Sequence, residues 1–217
     1  MRVEPEATGR EEGCRQPMLI LLVGTSSAGK STLAKRLQEI FPEPYLLLGI
    51  DDVFRMVPER WGGGFGGPLS AEGFRYDRTT EPGVIRIRYG SVGEHILKGM
   101  HRAVVSYVES GNHLIVDEML LDERILVDWA TQLGRFHPYL VQVTAAMETL
   151  ERRERQRGVE SGLAKGHLAS NTLRYYDRLI DTTDCEPMAC SKTFLEWVAT
   201  RPPAMALDEY RREFGIY

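Results

Sequence analysis

The sequence predicts an α/β fold in which helices flank a five-stranded parallel sheet. Three observations favour this fold. Short apolar runs alternate along the chain with amphipathic segments, a glycine-rich loop follows the first run, and paired acids follow the second and third runs. Because ligands of open parallel sheets bind beyond the carboxyl ends of the strands, we expect the loop and the acids to meet at one site.

The first apolar run, Met18–Val23, is short and bounded by turn residues, as a fully buried strand is. The loop that follows reads Gly-Thr-Ser-Ser-Ala-Gly-Lys-Ser and fits the P-loop pattern G-x-x-x-x-G-K-[ST] at every fixed position. Leu33, Leu37 and Ile40 then recur at helical spacing, so the loop lies between a buried strand and a helix start. Backbone N–H groups in such a loop bind polyphosphate. The residues predicted to bind ATP are Gly24, Thr25, Ser26, Ser27, Ala28, Gly29, Lys30, Ser31 and Thr32.

Two side chains of this loop have predicted chemical roles. Lys30 is expected to reach the β- and γ-phosphate oxygens, which makes it a catalytic residue, and the Ser31 hydroxyl is expected to bind Mg²⁺. The alternative is a glycine turn ahead of an ordinary helix. The lysine, the serine and the flanking strand and helix patterns together favour the P-loop.

The second buried strand is predicted at Tyr45–Ile50, after the prolines of Phe41-Pro-Glu-Pro44 end the first helix. Asp51 and Asp52 follow at its carboxyl end, where site residues lie in this class of fold. One acid of such a pair often caps the next helix, which is expected to begin near Val53. Asp52 is the predicted cap, and Asp51 is the predicted functional acid.

The third strand, predicted at His113–Val116, also ends in two acids, Asp117 and Glu118. P-loop NTPases place an aspartate beside the metal ion at the end of such a strand, so Asp117 is predicted to bind Mg²⁺. Glu118 is left to orient a water molecule or a polar substrate group. The alternative for both acids is helix capping, because Asp122 opens a helix that is predicted to run to about Leu133.

Residues 60–90 are predicted to form a long, irregular substrate loop. A glycine cluster with two aromatic residues, Trp61–Pro68, is followed by several arginines, and Gly83–Tyr89 alternates as a short hairpin arm would. Long loops inside compact domains tend to be lids or binding loops. Aromatic side chains suit an organic ring and arginines suit anions, so we place acceptor recognition here. A mobile surface loop is the alternative.

The helix after the fourth predicted strand carries four arginines that alternate with Glu151 and Glu154, as on a solvated helix face. In a P-loop kinase, a basic cluster at this place is also where a lid lies, and residues 148–168 are predicted to form one. Arg153 and Arg157 share a face of the helix and are the predicted catalytic arginines. The remaining elements are predicted strands at Pro138–Val143 and Tyr175–Ile180, and helices at Ser91–Ser110, Glu148–Gly158 and Pro187–Ala199.

Composition indicates a globular domain and no electrostatic footprint for nucleic acid. The chain has 217 residues, 42% of them hydrophobic, and a net charge of −4. Residues 1–17 are polar and predicted to be a disordered tail without a signal peptide, and residues 18–217 to be one P-loop kinase domain. No apolar run approaches the roughly 18 residues of a membrane span. Three cysteines without a Cys-x-x-Cys pair do not make a disulfide framework, so a reducing, cytoplasmic location is predicted.

Four stretches of the chain, in order, resemble the chloramphenicol phosphotransferase-like family. They are the P-loop, Phe41–Asp51 (FPEPYLLLGID), Leu114–Glu118 (LIVDE), and Tyr176-Asp followed by Asp181-Thr-Thr. The likeness runs through roughly residues 18–198. It implies an adenylate-kinase-like P-loop fold.

The resemblance also implies an activity, which is ATP-dependent phosphorylation of a hydroxyl group on a small molecule, with an antibiotic such as chloramphenicol among the acceptors. In that family the acid after the second strand is the base for the acceptor hydroxyl, and this position falls on Asp51. The family's lid arginines fall on Arg153 and Arg157. A nucleoside-monophosphate kinase or a toxin-like sugar-nucleotide kinase binds ATP, the phosphoryl donor, in the same way, so both functions remain alternatives. So does an ATP-binding regulatory switch without an acceptor, and the oligomeric state is left open.

Overall fold

The computed structural model describes residues 16–79, 81–158 and 161–217. Its strands are β1 (Leu19–Val23), β2 (Tyr45–Gly49), β3 (Phe74–Asp77), β4 (Arg86–Tyr89), β5 (His113–Glu118), β6 (Tyr139–Thr144) and β7 (Arg178–Asp181). Five of them form a parallel sheet in the order β2-β5-β1-β6-β7, which confirms the predicted architecture. The predicted tail, residues 1–17, lies outside the described residues except for its last two positions.

Helices cover both faces of this sheet, as a parallel sheet requires. They are α1 (Lys30–Ile40), α2 (Ile50–Met56), α3 (Ser91–Glu109), α4 (Glu123–Leu133), α5 (Met147–Arg157), α6 (Leu163–His167), α7 (Pro187–Ala199) and α8 (Ala206–Phe214). None of those within the described ranges combines the length and the apolar character that a membrane crossing needs.

The central strand β1 divides the core into two layers. Leu19, Leu21 and Val23 pack in the layer that includes residues of α3, α4 and α8, and Ile20 and Leu22 pack in the layer of α1 and α7. All five residues of β1 are at most 2% exposed, which explains why this run is apolar without alternation. The P-loop is therefore held at the end of the most buried strand.

Among the predicted boundaries that are off by a few residues, two have a clear local cause. Helix α2 begins at Ile50, not near Val53, because Gly49 is its N-cap and the Gly49 N–H donates to Asp52 Oδ2 in the first turn at 2.8 Å. Strand β7 begins at Arg178, not Tyr175, whose ring packs edge-on against Tyr210 of α8 with the ring centroids 5.0 Å apart. Tyr175 is therefore apolar because it packs against the C-terminal helix α8, not because it belongs to the strand.

The predicted substrate loop contains more regular structure than its composition suggests. Strand β4 confirms the hairpin arm, and it pairs antiparallel with β3, whose existence the sequence analysis did not predict. The hairpin is anchored through Phe74, which is fully buried and meets Phe54 of α2 edge-on with the ring centroids 4.9 Å apart. This packing holds the hairpin over the carboxyl ends of β2 and β5.

Candidate active site

The P-loop joins β1 to α1 at the carboxyl edge of the sheet. Gly24 has no room for a side chain, because a Cβ atom there would lie 2.2 Å from the carbonyl oxygen of Val143 in β6. Gly29 has a φ of +95°, which strongly favours glycine. The first helical hydrogen bond at this end of α1 runs from the Leu33 N–H to the Gly29 oxygen, at 2.9 Å. The N–H groups of the first turn are therefore available to an anionic ligand.

Lys30, Ser31 and Asp117 form one cluster at the end of β5. The Lys30 Nζ atom lies 3.6 Å from Asp117 Oδ1 and donates a hydrogen bond to the Thr25 carbonyl oxygen at 3.1 Å. The Ser31 hydroxyl donates to Asp117 Oδ2 at 2.5 Å. Three residues predicted from two separate motifs thus contact one another directly.

The predicted base, Asp51, lies in the first turn of α2 and faces this cluster. Partial desolvation raises the pKa of its carboxyl group above the usual range, and the charge of Asp117 adds to the rise. Lys30 and Arg157 act in the opposite direction, because their positive charges favour the carboxylate. Asp51 is therefore a carboxylate among charged neighbours at the end of the P-loop.

Two other acids act as helix caps, as the capping alternative predicts. Asp52 accepts a hydrogen bond from the Gly49 N–H through Oδ2 at 2.8 Å, so it stabilises the start of α2. Asp122 accepts from the Arg124 N–H at 3.0 Å and caps α4. Asp52 is adjacent to Asp51, but its carboxylate is already hydrogen-bonded to the backbone.

Two adjoining pockets open around the P-loop, and we name them by the nearer edge strand. The β7-side pocket has a volume of about 270 Å³, and the β2-side pocket one of about 210 Å³. Both are lined by Ser27, Gly29, Thr32 and Arg157. The β7-side pocket is further lined by Leu33, Arg153, Gln156, Thr182, Cys185, Pro187 and Cys190. The β2-side pocket is further lined by Ser26, Lys30, Ser31, Ile50, Asp51, Phe65, Tyr76, Ile87, Asp117, Met119 and Leu163.

The predicted substrate loop supplies an apolar wall to the β2-side pocket. Its contributions are Phe65, Tyr76 and Ile87, and the rings of Phe65 and Tyr76 pack with centroids 4.8 Å apart. The guanidinium group of Arg78 lies over the Tyr76 ring, 4.9 Å from its centroid. Among the described residues of this segment, aromatic and aliphatic side chains line the pocket and the arginines do not.

The two predicted lid arginines have different surroundings. Arg153 donates to the Ser27 carbonyl oxygen at 3.3 Å, to Thr182 Oγ1 at 2.9 Å and to the Thr182 carbonyl oxygen at 2.7 Å. Arg157 is exposed and lines both pockets, and no described residue accepts a hydrogen bond from it. Arg153 is thus committed to holding the P-loop, whereas Arg157 is available to a ligand.

Glu154, on the same helix, is not part of a solvated face as the charge alternation suggests. Its carboxylate is fully buried and accepts hydrogen bonds from the N–H groups of Gly162 at 2.9 Å and Ala164 at 2.7 Å. Thr182 is a second residue that the sequence analysis did not single out, and its hydroxyl donates to the Ala28 oxygen at 2.8 Å. The Thr182 contact joins segments far apart in the chain, and the Glu154 contacts depend on how the chain folds back after α5, so no helical or strand periodicity reveals either.

The cysteine prediction needs a correction. Cys185 and Cys190 form a disulfide bond, with their Cα atoms 6.1 Å apart, at the start of α7. An odd number of cysteines gave no sign of this pair. The turn after β7 brings the two residues together beside the β7-side pocket. The third cysteine, Cys14, lies outside the described residues.

Glu118 is buried directly behind Asp117, facing α4. Its Oε2 atom accepts a hydrogen bond from the Trp129 indole N–H at 2.9 Å, while Oε1 is buried with no partner among the described residues. Burial raises the pKa of Glu118 from 4.5 to about 7, and the charge of Asp117 adds to the rise. The folded chain therefore keeps a proton that the unfolded chain loses at lower pH.

We expect Glu118→Gln to stabilise the fold at pH 8 but not at pH 4.5. Between these values the folded state binds more protons than the unfolded state, so the free energy of unfolding falls as the pH rises. Glutamine keeps an acceptor for Trp129 and cannot ionise, so its advantage at pH 8 should be roughly 3 kcal/mol. Urea unfolding at both pH values measures it, with the exposed Glu123→Gln as the control. Parallel pH profiles for the Glu118→Gln and parent chains would contradict the buried-proton account.

The donor atoms around Ser31 and Asp117 fit a magnesium ion. A hydroxyl oxygen and a carboxylate are hard oxygen ligands, and Mg²⁺ is commonly held by one or two such groups together with substrate phosphates. No group of three or more histidine, cysteine, aspartate or glutamate side chains able to hold a metal occurs among the described residues.

Comparison with known proteins agrees with this geometry. The family described as chloramphenicol phosphotransferase-like protein matches residues 17–199. A protein provisionally named an O-phosphotransferase from Mycobacterium tuberculosis H37Rv is 27% identical over 215 residues, covering 93% of this chain and 91% of the relative. The relative from strain CDC 1551 has the same values. These matches support a phosphotransferase.

Solved structures with a similar fold are P-loop kinases. An unliganded sugar kinase from Janibacter superposes with a TM-score of 0.57 and 16% identity, covering 84% of this chain and 95% of the kinase. The APS kinase CysC of Mycobacterium tuberculosis, in complex with AMPPNP and APS, gives a TM-score of 0.55 and 11% identity, covering 84% and 99%. Shikimate kinase from Acinetobacter baumannii gives 0.51 and 13%, covering 85% and 94%. These likenesses establish the fold.

Proposed function

The chain belongs to the chloramphenicol phosphotransferase-like family, and we propose that it transfers the γ-phosphate of ATP to a hydroxyl group of a small molecule. One observation carries the proposal. The β2-side pocket brings an acid, Asp51, and an available arginine, Arg157, to the end of the P-loop that carries Lys30 and Ser31. A phosphoryl donor, a base and a charge-neutralising group are then within one cavity.

ATP fits the donor half of the site. The free N–H groups of the P-loop and Lys30 suit the β- and γ-phosphates, and the β7-side pocket has room beside them for the nucleoside. The Ser27 hydroxyl is buried and has no hydrogen-bond partner among the described residues, so it is available to a phosphate oxygen. Ser31 and Asp117 would hold Mg²⁺, which neutralises charge on the phosphates when it is bound.

Transfer then needs a proton acceptor and positive charge from the chain. The Asp51 carboxylate accepts the proton of the acceptor hydroxyl as the alcohol oxygen bonds to the γ-phosphorus. The bond from the γ-phosphorus to the β,γ-bridging oxygen breaks, and ADP leaves. Arg157 and Lys30 neutralise charge on the transferring phosphoryl group, which is where a P-loop kinase needs it.

The acceptor we propose is an alcohol carried on an apolar or aromatic body, with chloramphenicol among the candidates. The wall opposite Asp51 consists of Phe65, Tyr76 and Ile87, continued by Met119 and Leu163. A nucleoside monophosphate or a sugar nucleotide carries phosphate, which needs cations on that wall, and the described lining offers none there. This apolar lining favours the small-molecule kinase over the two nucleotide-kinase alternatives.

A panel of acceptors with γ-labelled ATP and Mg²⁺ tests the proposal. We expect labelled product with chloramphenicol or another aromatic alcohol, and none with shikimate, gluconate, AMP or a UDP-sugar. Omitting Mg²⁺ should abolish the transfer. If chloramphenicol is the acceptor, bacteria that express the protein in their cytoplasm should grow at higher concentrations of the drug than bacteria without it. ADP formed at one rate with every panel member, without labelled product, would instead support the acceptor-free switch.

A further inference from the structure

Helix α6 lies between the P-loop and the β3–β4 hairpin. On the P-loop side, the Thr25 hydroxyl donates to the Ala164 carbonyl oxygen at 2.7 Å, within the buried core of the site. The Glu154 carboxylate caps the start of the helix through the N–H groups of Gly162 and Ala164. Helix α6 is thus fixed to α5 and to the loop that is proposed to hold ATP.

On its other side, α6 supplies hydrogen-bond acceptors to the backbone N–H groups at the outer edge of β4. Strand β3 pairs with the inner edge, and the N–H groups of Ile87 and of Ile85, the residue just before β4, point outward. The Ile85 N–H donates to the Gly162 oxygen at 3.1 Å, and the Ile87 N–H donates to His167 Nε2 at 2.7 Å. Gly166 permits this approach, because a Cβ atom there would lie 1.8 Å from the Ile85 oxygen. The hairpin edge is closed by a helix end and one imidazole.

His167 is suited to accept that hydrogen bond. It is 1% exposed, and burial lowers the pKa of its imidazole to about 4, with Arg86 and Arg88 adding to the decrease. The nearby backbone of Leu120 has a weaker, opposite effect on the pKa, and Nδ1 makes no hydrogen bond to any described residue. At neutral pH the ring is uncharged, so with its proton on Nδ1 it presents a lone pair at Nε2. A protonated imidazole has no acceptor to offer.

We propose that His167 is a positioning residue for the acceptor. It acts indirectly, by holding Ile87 and the facing Tyr76 in the pocket wall opposite Asp51. Both residues line the β2-side pocket, whereas His167 itself does not. A two-stranded hairpin is marginally stable alone, so the position of this wall depends on what closes its outer edge. The acceptor role of the wall rests on the proposed function, but the contact between His167 and β4 does not.

The test compares His167→Ala with His167→Gln, whose amide oxygen can reach the place of Nε2. The matched control is Val108→Ala, a core truncation at the far end of α3. The first measurement is amide hydrogen exchange of β4. We expect exchange at Ile87 to accelerate about tenfold or more in His167→Ala, to recover in His167→Gln and to stay near the parent rate in Val108→Ala. The dissociation constant for Mg·AMPPNP should change by less than about twofold in all three.

The second measurement is steady-state kinetics with the panel alcohol that gives the highest turnover. His167→Ala should raise KM for that alcohol about tenfold, with KM for ATP unchanged, and His167→Gln should restore it. Unchanged β4 exchange in His167→Ala, or equal acceleration in Val108→Ala, would overturn the proposal. So would a loss of ATP affinity that matches the loss for the alcohol. If no panel member is phosphorylated, the proposed function fails, while the exchange experiment still decides whether His167 holds β4.

Discussion

Asp51→Asn is expected to slow phosphoryl transfer by about 10²–10⁴-fold, the usual contribution of a general base. Asparagine keeps the size of the side chain and can still contact the acceptor hydroxyl, but it cannot take up the proton. The loss should appear in kcat. Affinity for Mg·AMPPNP should stay within about twofold, because no part of the P-loop is altered. Single-turnover kinetics with the best panel acceptor and calorimetric titration of Mg·AMPPNP provide the two measurements.

Asp52→Asn is the matched control for this experiment. Asp52 lies on the same helical turn, but its carboxylate caps α2 at the Gly49 N–H. Asparagine keeps an acceptor oxygen for this N–H, so the variant loses mainly the negative charge in the first turn of α2, which costs about 0.3–1 kcal/mol of stability. We therefore expect Asp52→Asn to lower the melting temperature and to leave kcat within about threefold of the parent value. Equal kcat losses in the two variants would remove Asp51 from the base role.

Arg157→Ala is expected to have an effect of similar or larger size, about 10³–10⁵-fold in kcat, as for an arginine that neutralises transition-state charge. The guanidinium group lines both pockets and is available to a ligand, so its removal changes no contact that holds the fold. Thermal unfolding should therefore be unaffected. Stopped-flow or quench-flow measurement of the transfer step separates this loss from product release.

Two variants on the same helix serve as controls for Arg157→Ala. Arg155 is exposed and lines neither pocket, so Arg155→Ala should behave as the parent enzyme. Arg153→Ala removes three hydrogen bonds to Ser27 and Thr182, so it should weaken Mg·AMPPNP binding and lower the melting temperature. A large kcat loss in Arg153→Ala, with Arg157→Ala unaffected, would exchange the roles of the two arginines.

The parts of this molecule that were predictable from sequence are those specified by local chemistry. The P-loop needs its glycines for close approach to β6 and for a positive φ, and in the proposed reaction its lysine and serine would bind phosphate and metal. Each requirement is met by residues next to one another in the chain. The acids Asp51 and Asp117 were predictable because parallel strands bring their carboxyl ends to one edge.

The parts that were not predictable depend on how the chain folds back on itself between or beyond its regular elements. Glu154 reads as a surface residue, yet the start of α6 folds over it and supplies two N–H donors. The hairpin strand β3 carries mixed residues, and its position follows from the burial of Phe74 against α2. The pair Cys185 and Cys190 is joined by a turn whose geometry leaves no trace in composition. In each case tertiary packing, not local propensity, determines the outcome.

A crystal structure with Mg·AMPPNP and the best panel acceptor would show whether nucleotide and alcohol meet between the P-loop and Asp51. We expect the triphosphate in the P-loop, with the γ-phosphate beside Lys30 and Arg157, and the acceptor hydroxyl within hydrogen-bond reach of Asp51. A nucleotide bound away from the P-loop would contradict the account. So would an acceptor hydroxyl on the γ-phosphate with Asp51 facing away from it.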